Sequence, residues 1–151
     1  MKLEPFLMER FQSTWENLVD YNLSESGVHP MTVWELLEED PQTREVIFRQ
    51  ELGYGQSNGT IALREKIAAL YRGATPDHIL VTNGTSEANF VVIWSLVERD
   101  DEVVLMLPNY MQIWGISRGF QGAVRPFHLR EETDWRPDLE ELGKRSRQRR
   151  S

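Results

Sequence analysis

The chain contains no cysteine, which excludes disulfides, thiol nucleophiles and cysteine-ligated metals and is compatible with a reducing compartment. Its three histidines, His29, His78 and His128, lie far apart, without the paired spacing of metal ligands, so no metal site is expected. Lysine is equally scarce, with Lys2, Lys66 and Lys144 as the whole set. No apolar run approaches the length of a membrane span. The opening Met1-Lys2-Leu3-Glu4-Pro5 puts Glu4, Pro5 and later Glu9 where a secretory signal needs unbroken apolar residues. The expectation is a cytoplasmic protein with no membrane partner. A net charge of −7 argues against general nucleic-acid affinity, and no repeats or low-complexity linkers interrupt the body.

What is present points to a folded α/β body. The 151 residues are enough for one hydrophobic core, and 40% hydrophobic content with five tryptophans fits a globular chain. Apolar periodicity and turn signals predict helices near 31–39, 41–51, 59–72, 86–98 and 109–120. Short β-branched runs predict strands near 79–82, 102–107 and 123–128. Alternation of strands and helices implies a parallel sheet. In the helix over 59–72, Ile61, Leu63, Ile67, Ala68 and Leu70 form an apolar stripe, and the helix over 86–98 is apolar on most sides. Glu38-Glu39-Asp40 before Pro41 reads as one helix end and the acidic start of the next.

The most informative stretch is 79–90. Ile79 to Thr82 reads as a buried strand, Asn83-Gly84 breaks it, and Thr85-Ser86 open a helix through Glu87-Ala88-Asn89-Phe90. Such a strand–turn–helix aims free backbone N–H groups and the positive helix end at one point, which suits a phosphate. Taken alone it fits an ordinary α/β turn with a polar cap equally well. Gly53-x-Gly55-x-x-x-Gly59 is no dinucleotide fingerprint, because its spacing is one residue too long and it follows a helical pattern.

Two further segments favour the phosphate. Tyr54-Gly55-Gln56-Ser57-Asn58-Gly59-Thr60-Ile61-Ala62-Leu63-Arg64 precedes the stretch, and Asp101-Glu102-Val103-Val104-Leu105-Met106-Leu107-Pro108-Asn109-Tyr110 follows it. In order and spacing the three resemble the N-terminal half of class I/II, fold type I, pyridoxal-phosphate-dependent aminotransferases, over roughly residues 20–142. The resemblance implies pyridoxal 5′-phosphate as cofactor. It puts Gly84, Thr85 and Ser86 at the phosphate cup, Tyr110 where an aromatic ring stacks on the cofactor, and Tyr54 where a tyrosine reaches the partner subunit's cofactor phosphate in a homodimer. It puts Ser26 and Gly27 in the loop flanking the substrate carboxylate, although Ser26-Gly27-Val28-His29-Pro30 departs from the family's Gly-x-Pro-Asp pattern. Read without the resemblance, Tyr110 is a core aromatic at a strand end and Tyr54 a loop aromatic without a ligand.

The resemblance also says what these residues do not supply. In relatives the lysine that holds the cofactor and the groups that tune it come later in the chain, so no catalytic residue is assigned here. Lys2, Lys66 and Lys144 do not sit in the family's lysine context. The implied architecture is α/β: an incomplete fragment of the aminotransferase large domain, holding strands one to three of a seven-stranded, mostly parallel sheet. Residues 1–52 read as an N-terminal arm and small-domain or interface segment, 53–142 as a partial cofactor-binding large domain and 143–151 as a disordered basic tail. Five of the seventeen Lys and Arg fall in that tail, after the last of the twenty-four acids. It reads as a run left by truncation or a changed frame, with a nucleic-acid or targeting patch as the alternative. Four strands that separate the first from the second in relatives would leave a gap of roughly 20 Å at about 4.8 Å per neighbour. The expected function is the truncated N-terminal part of an aminotransferase for amino acids and 2-oxo acids, inactive and poorly stable alone. Alternatives are a lyase, decarboxylase or cyclising enzyme of the same fold, or a non-catalytic interaction fragment.

Overall fold

A computed structural model describes residues 3–38 and 40–147. Seven helices are present among them: α1 (Leu7–Trp15), α2 (Val33–Leu37), α3 (Pro41–Phe48), α4 (Ile61–Ala68), α5 (Thr85–Leu96), α6 (Gln112–Gly119) and α7 (Leu139–Arg147). Two strands, β1 (Glu102–Leu107) and β2 (Ala123–His128), complete an α/β arrangement. The chain packs as two units, one formed by residues up to Thr14 with those from Thr82 onward, the other by Trp15–Val81.

The first unit is built on the parallel pair β1–β2, in register from Glu102 opposite Ala123 to Leu107 opposite His128. α6 forms the crossover between them, as a parallel connection requires. It packs against both strands, and Ile116 of α6, Leu105 of β1 and Phe127 of β2 are among the few buried apolar side chains. Ser117 is completely buried and its hydroxyl has no partner among the described residues. Gly122, just before β2, lies in a tight space: an added Cβ would meet Val97 Cγ1 at 3.1 Å and the Ser117 carbonyl at 3.2 Å. The Arg125 guanidinium pairs with Glu102 across the ladder.

In the second unit, side chains start the helices. Thr32 and Glu35 form a reciprocal capping box on α2, and the Asp40 carboxylate accepts from the Gln42 and Thr43 N–H groups at the start of α3. Pro41 sits in the first turn of α3, where its missing N–H costs nothing. The Arg44 guanidinium lies 5.3 Å from the Trp34 ring centre. α4 carries the unit's buried charge. Arg64 is 4% exposed, and its guanidinium donates to the Gly59 carbonyl at 3.0 Å and the Pro76 carbonyl at 2.7 Å. The Asp77 carboxylate, 3.6 Å away, is almost fully exposed and adds little.

Four expectations are corrected. Residues 79–82 are no strand. Ile79 is extended, but the Val81 N–H donates to the Asn58 carbonyl at 3.1 Å and no ladder forms, because β1 and β2 pair only with each other. Two strands therefore stand where three were expected. Residues 143–147 are not a disordered tail but the end of α7, supported by Glu140–Lys144 and Glu141–Arg145 pairs at helical spacing; residues 148–151 lie outside the described residues. The apolar stripe expected on α4 is not a buried face, since Ile61 and Leu63 stay exposed while Arg64 and Ala68 are buried. α5 likewise does not pack on most sides: Ile93 is buried, whereas Trp94 and Leu96 are 65% and 73% exposed.

Arg64 gives this unit a test. Arg64→Leu leaves two carbonyls without their charged donor, each bond worth about 1.5–3 kcal/mol, and Arg64→Lys cannot reach both with one ammonium. Both variants are expected to unfold at lower urea concentration than the parent; an unchanged midpoint would show that the guanidinium adds nothing to this unit.

Candidate functional site

The site begins where the chain enters α5. Gly84 is the N-cap residue with φ 83° and ψ 171°, a region that glycine alone occupies freely. A Cβ there would meet nothing within 4 Å, so the backbone conformation, not crowding, requires glycine. No side chain caps this helix. Among the described residues the backbone N–H groups of Thr85 and Ser86 have no acceptor. Glu87 turns its carboxylate back onto the Asn83 N–H instead, and Thr82 Oγ1 donates to the Gly84 carbonyl at 3.1 Å. Open donors at the positive end of a twelve-residue helix are chemistry that suits an anion. The donor set fits the phosphate of pyridoxal phosphate.

Tyr110 lies in the same unit, just past the carboxyl end of β1 and the cis Leu107–Pro108 peptide. That strand end is where α/β sheets bind ligands. The Tyr110 hydroxyl donates to Glu9 Oε1 at 2.7 Å and also meets the Ser86 side chain. The Phe6 ring sits edge-on to it at 4.9 Å. Gln112, the first residue of α6, donates from Nε2 to the Ser86 carbonyl at 2.9 Å and accepts at Oε1 from Asn89 Nδ2 at 3.0 Å. The hydrogen bond to the Glu9 carboxylate, with smaller help from burial, raises the Tyr110 pKa above its ordinary value, against an opposing contact with Ser86.

The structure therefore brings Gly84, Thr85, Ser86 and Tyr110 together in one unit. Tyr54 belongs to the other unit, in the irregular stretch between α3 and α4, and is fully exposed. Ser26 and Gly27 are also in that unit, on an exposed loop where Glu25 Oε1 accepts the Gly27 N–H. Sequence reasoning missed Glu9 and Gln112. The spacing of Leu7, Met8, Phe11 and Trp15 is a helical signal that could have flagged α1 and hence Glu9. Nothing in the sequence singles out Gln112.

The chain is thus an α/β crossover with an uncapped glycine turn and an aromatic past the first strand of the pair. The family model for aminotransferase class I and II matches residues 16–150, and the chain belongs to that family. The family's implied cofactor is pyridoxal phosphate. The chain is 36% identical to capreomycidine synthase of Streptomyces vinaceus over 147 residues, which is 93% of this chain and 35% of that protein. It is 31% identical over 81 residues to histidinol-phosphate aminotransferase 2 of Carboxydothermus hydrogenoformans, covering 54% of this chain and 22% of that enzyme. Among solved structures, a PLP-dependent aminotransferase from Streptococcus suis superposes with a TM-score of 0.85 at 32% identity, covering 95% of this chain and 40% of that one. The chain thus spans little more than a third of the relatives it matches along most of its length. No helix among the described residues is long and apolar enough to cross a membrane.

The Glu9–Tyr110 bond makes a pH prediction. A phenol whose folded pKa is raised contributes stability that is present below the ordinary tyrosine value near 10 and is lost as pH rises through the folded value. Glu9→Gln removes the anion and should bring the Tyr110 titration, followed by phenolate absorbance, back towards that of a free tyrosine. Identical alkaline titrations of parent and variant would place Glu9 away from the phenol.

Proposed function

We propose that Gly84, Thr85 and Ser86 seat the phosphate of pyridoxal phosphate and that Tyr110 lies against its ring. The enzyme concerned would exchange an amino group between an amino acid and a 2-oxo acid. The observation that carries this reading is the uncapped first turn of α5, whose Thr85 and Ser86 amides find no acceptor at the cup positions of the family. When bound, the cofactor supplies an electron sink for a bond breaking at the amino acid's α-carbon. The chain's own part is to hold and orient: two amides and the Ser86 hydroxyl donate to the anion, and the dipole of α5 favours the negative charge. Tyr54 would reach a partner's phosphate in a homodimer, and Ser26 and Gly27 would border the substrate carboxylate, in a cytoplasmic biosynthetic setting. On this reading 53–142 is the cofactor-binding portion and 1–52 the arm.

A second reading is cyclising chemistry on the same cofactor. It is favoured by the similarity to capreomycidine synthase along 93% of this chain and by a PLP-dependent cyclase, OrfR, that superposes with a TM-score of 0.73 at 25% identity. The cup serves either reaction.

Two outcomes are expected. The 151-residue chain, mixed with pyridoxal phosphate, an amino acid and a 2-oxo acid, should exchange no amino groups beyond a cofactor-only control, because Lys2, Lys66 and Lys144 lie outside the family's lysine context; turnover above that control would refute this. Ser86→Ala removes a hydroxyl donor, and Thr85→Pro removes an amide at a helix position that tolerates proline. Each should weaken binding of the phosphorylated cofactor by about 1.5–3 kcal/mol. Unchanged affinity in both would reduce residues 84–86 to a structural turn.

A further inference from the structure

We infer that Gln112 is a positioning residue for the phosphate cup, acting through the Ser86 carbonyl; this rests on reading residues 84–86 as the cofactor phosphate's seat. A helix whose first turn has no capping side chain leaves its end donors unsatisfied and frays readily. A conventional cap would prevent the fraying but would occupy the same amides that the anion needs. α5 is restrained from outside instead. Gln112 Nε2 donates to the Ser86 carbonyl at 2.9 Å, a group that leaves the Ser86 amide free.

Asn89 sets the direction of that restraint. It lies three residues after Ser86, on the same side of α5, and donates its Nδ2 to Gln112 Oε1 at 3.0 Å. With its oxygen engaged there, the Gln112 amide can present only its nitrogen to Ser86. Because Gln112 opens α6 two residues after Tyr110, the same clamp ties the Tyr110 segment to the first turn of α5. Gln112 itself touches neither ring nor phosphate position; it acts through Ser86.

The test uses the 151-residue chain, isotope-labelled, with deoxypyridoxine phosphate and deoxypyridoxine as probes, neither of which carries an aldehyde that could react with surface lysines. The readout is the backbone amide shifts of Thr85 and Ser86, and the quantity is the preference for the phosphorylated probe over its unphosphorylated twin. Gln112→Met keeps length and removes both hydrogen bonds, and should cut that preference about fivefold, the size of one lost hydrogen bond. Asn89→Leu frees the amide to rotate and should cut it in the same direction, which keeps the test open if Gln112→Met fails to fold. A parent with a clear preference that both folded variants retain would overturn the role of Gln112 alone. A parent with no preference would overturn the cup reading, and this inference with it.

Discussion

A helix that must offer its first amides to a ligand cannot also satisfy them with its own cap, and much of the first unit follows from that constraint. Gly84 supplies the φ of 83° that turns the chain into α5 without a side chain in the way. Glu87, which on an ordinary helix would add favourable charge to the first turn, bonds the Asn83 amide. Restraint comes from α6, through Gln112 on Ser86 and Asn89. α6 is held in turn because it is the crossover of the β1–β2 pair and packs against both strands. The proposed anion seat is thus tied to the parallel pair through one glutamine and one crossover helix.

In the second unit α2 and α3 begin on side-chain caps, whereas α4, like α5, has none. Thr32 with Glu35, and Asp40 with Thr43, occupy the first-turn donors of α2 and α3 with side-chain oxygens. Those contacts lower the pKa of the Glu35 and Asp40 carboxyls, chiefly through the backbone N–H of the N-cap residue Thr32 for Glu35 and the hydroxyl of Thr43 for Asp40. Lack of a side-chain cap does not by itself set α5 apart, since α4 and α6 also have none; its distinguishing feature is Gly84 at φ 83° as the N-cap residue. A polar first turn is likewise weak proof of function by itself: the hydroxyls of Thr85 and Ser86 look in sequence like that of Thr32.

Where the local pattern and the tertiary partner agree, the sequence was readable. β1 and β2 stand at the residues their apolar runs predict, and Asp40-Pro41 opens α3 as the acid–proline pair implies. Where structure depends on a partner, it was not. Ile79–Thr82 has strand composition, but a strand needs a neighbour, and the Val81 amide goes to Asn58. α7 was hidden because its charges conceal an apolar period, and only the Glu–Lys and Glu–Arg spacing signals a helix. For the proposed site, Gly84 and Ser86 stand at the start of α5, where the turn chemistry reads them, and Tyr110 stands just past the end of β1. Glu9 could not be linked to Tyr110, because their contact joins positions 101 residues apart. Apolar exposure on α5, at Trp94 and Leu96, shows the same dependence from the packing side: those side chains have hydrophobic character without a covering layer among the described residues.

The similarities along this chain run to proteins named for different chemistry: an aminotransferase, a cyclase and a capreomycidine synthase. That spread is what a phosphate grip predicts. Contacts to a phosphate that takes no part in bond breaking bind ground state and transition state alike, so they fix the cofactor without selecting a reaction. Selection must come from groups that touch the reacting carbon, whereas on the proposed reading Gly84, Thr85, Ser86 and Gln112 touch the anion or hold what does. A cup of that kind can stay constant while the reaction changes around it, so similarity along this chain identifies the family more firmly than the substrate.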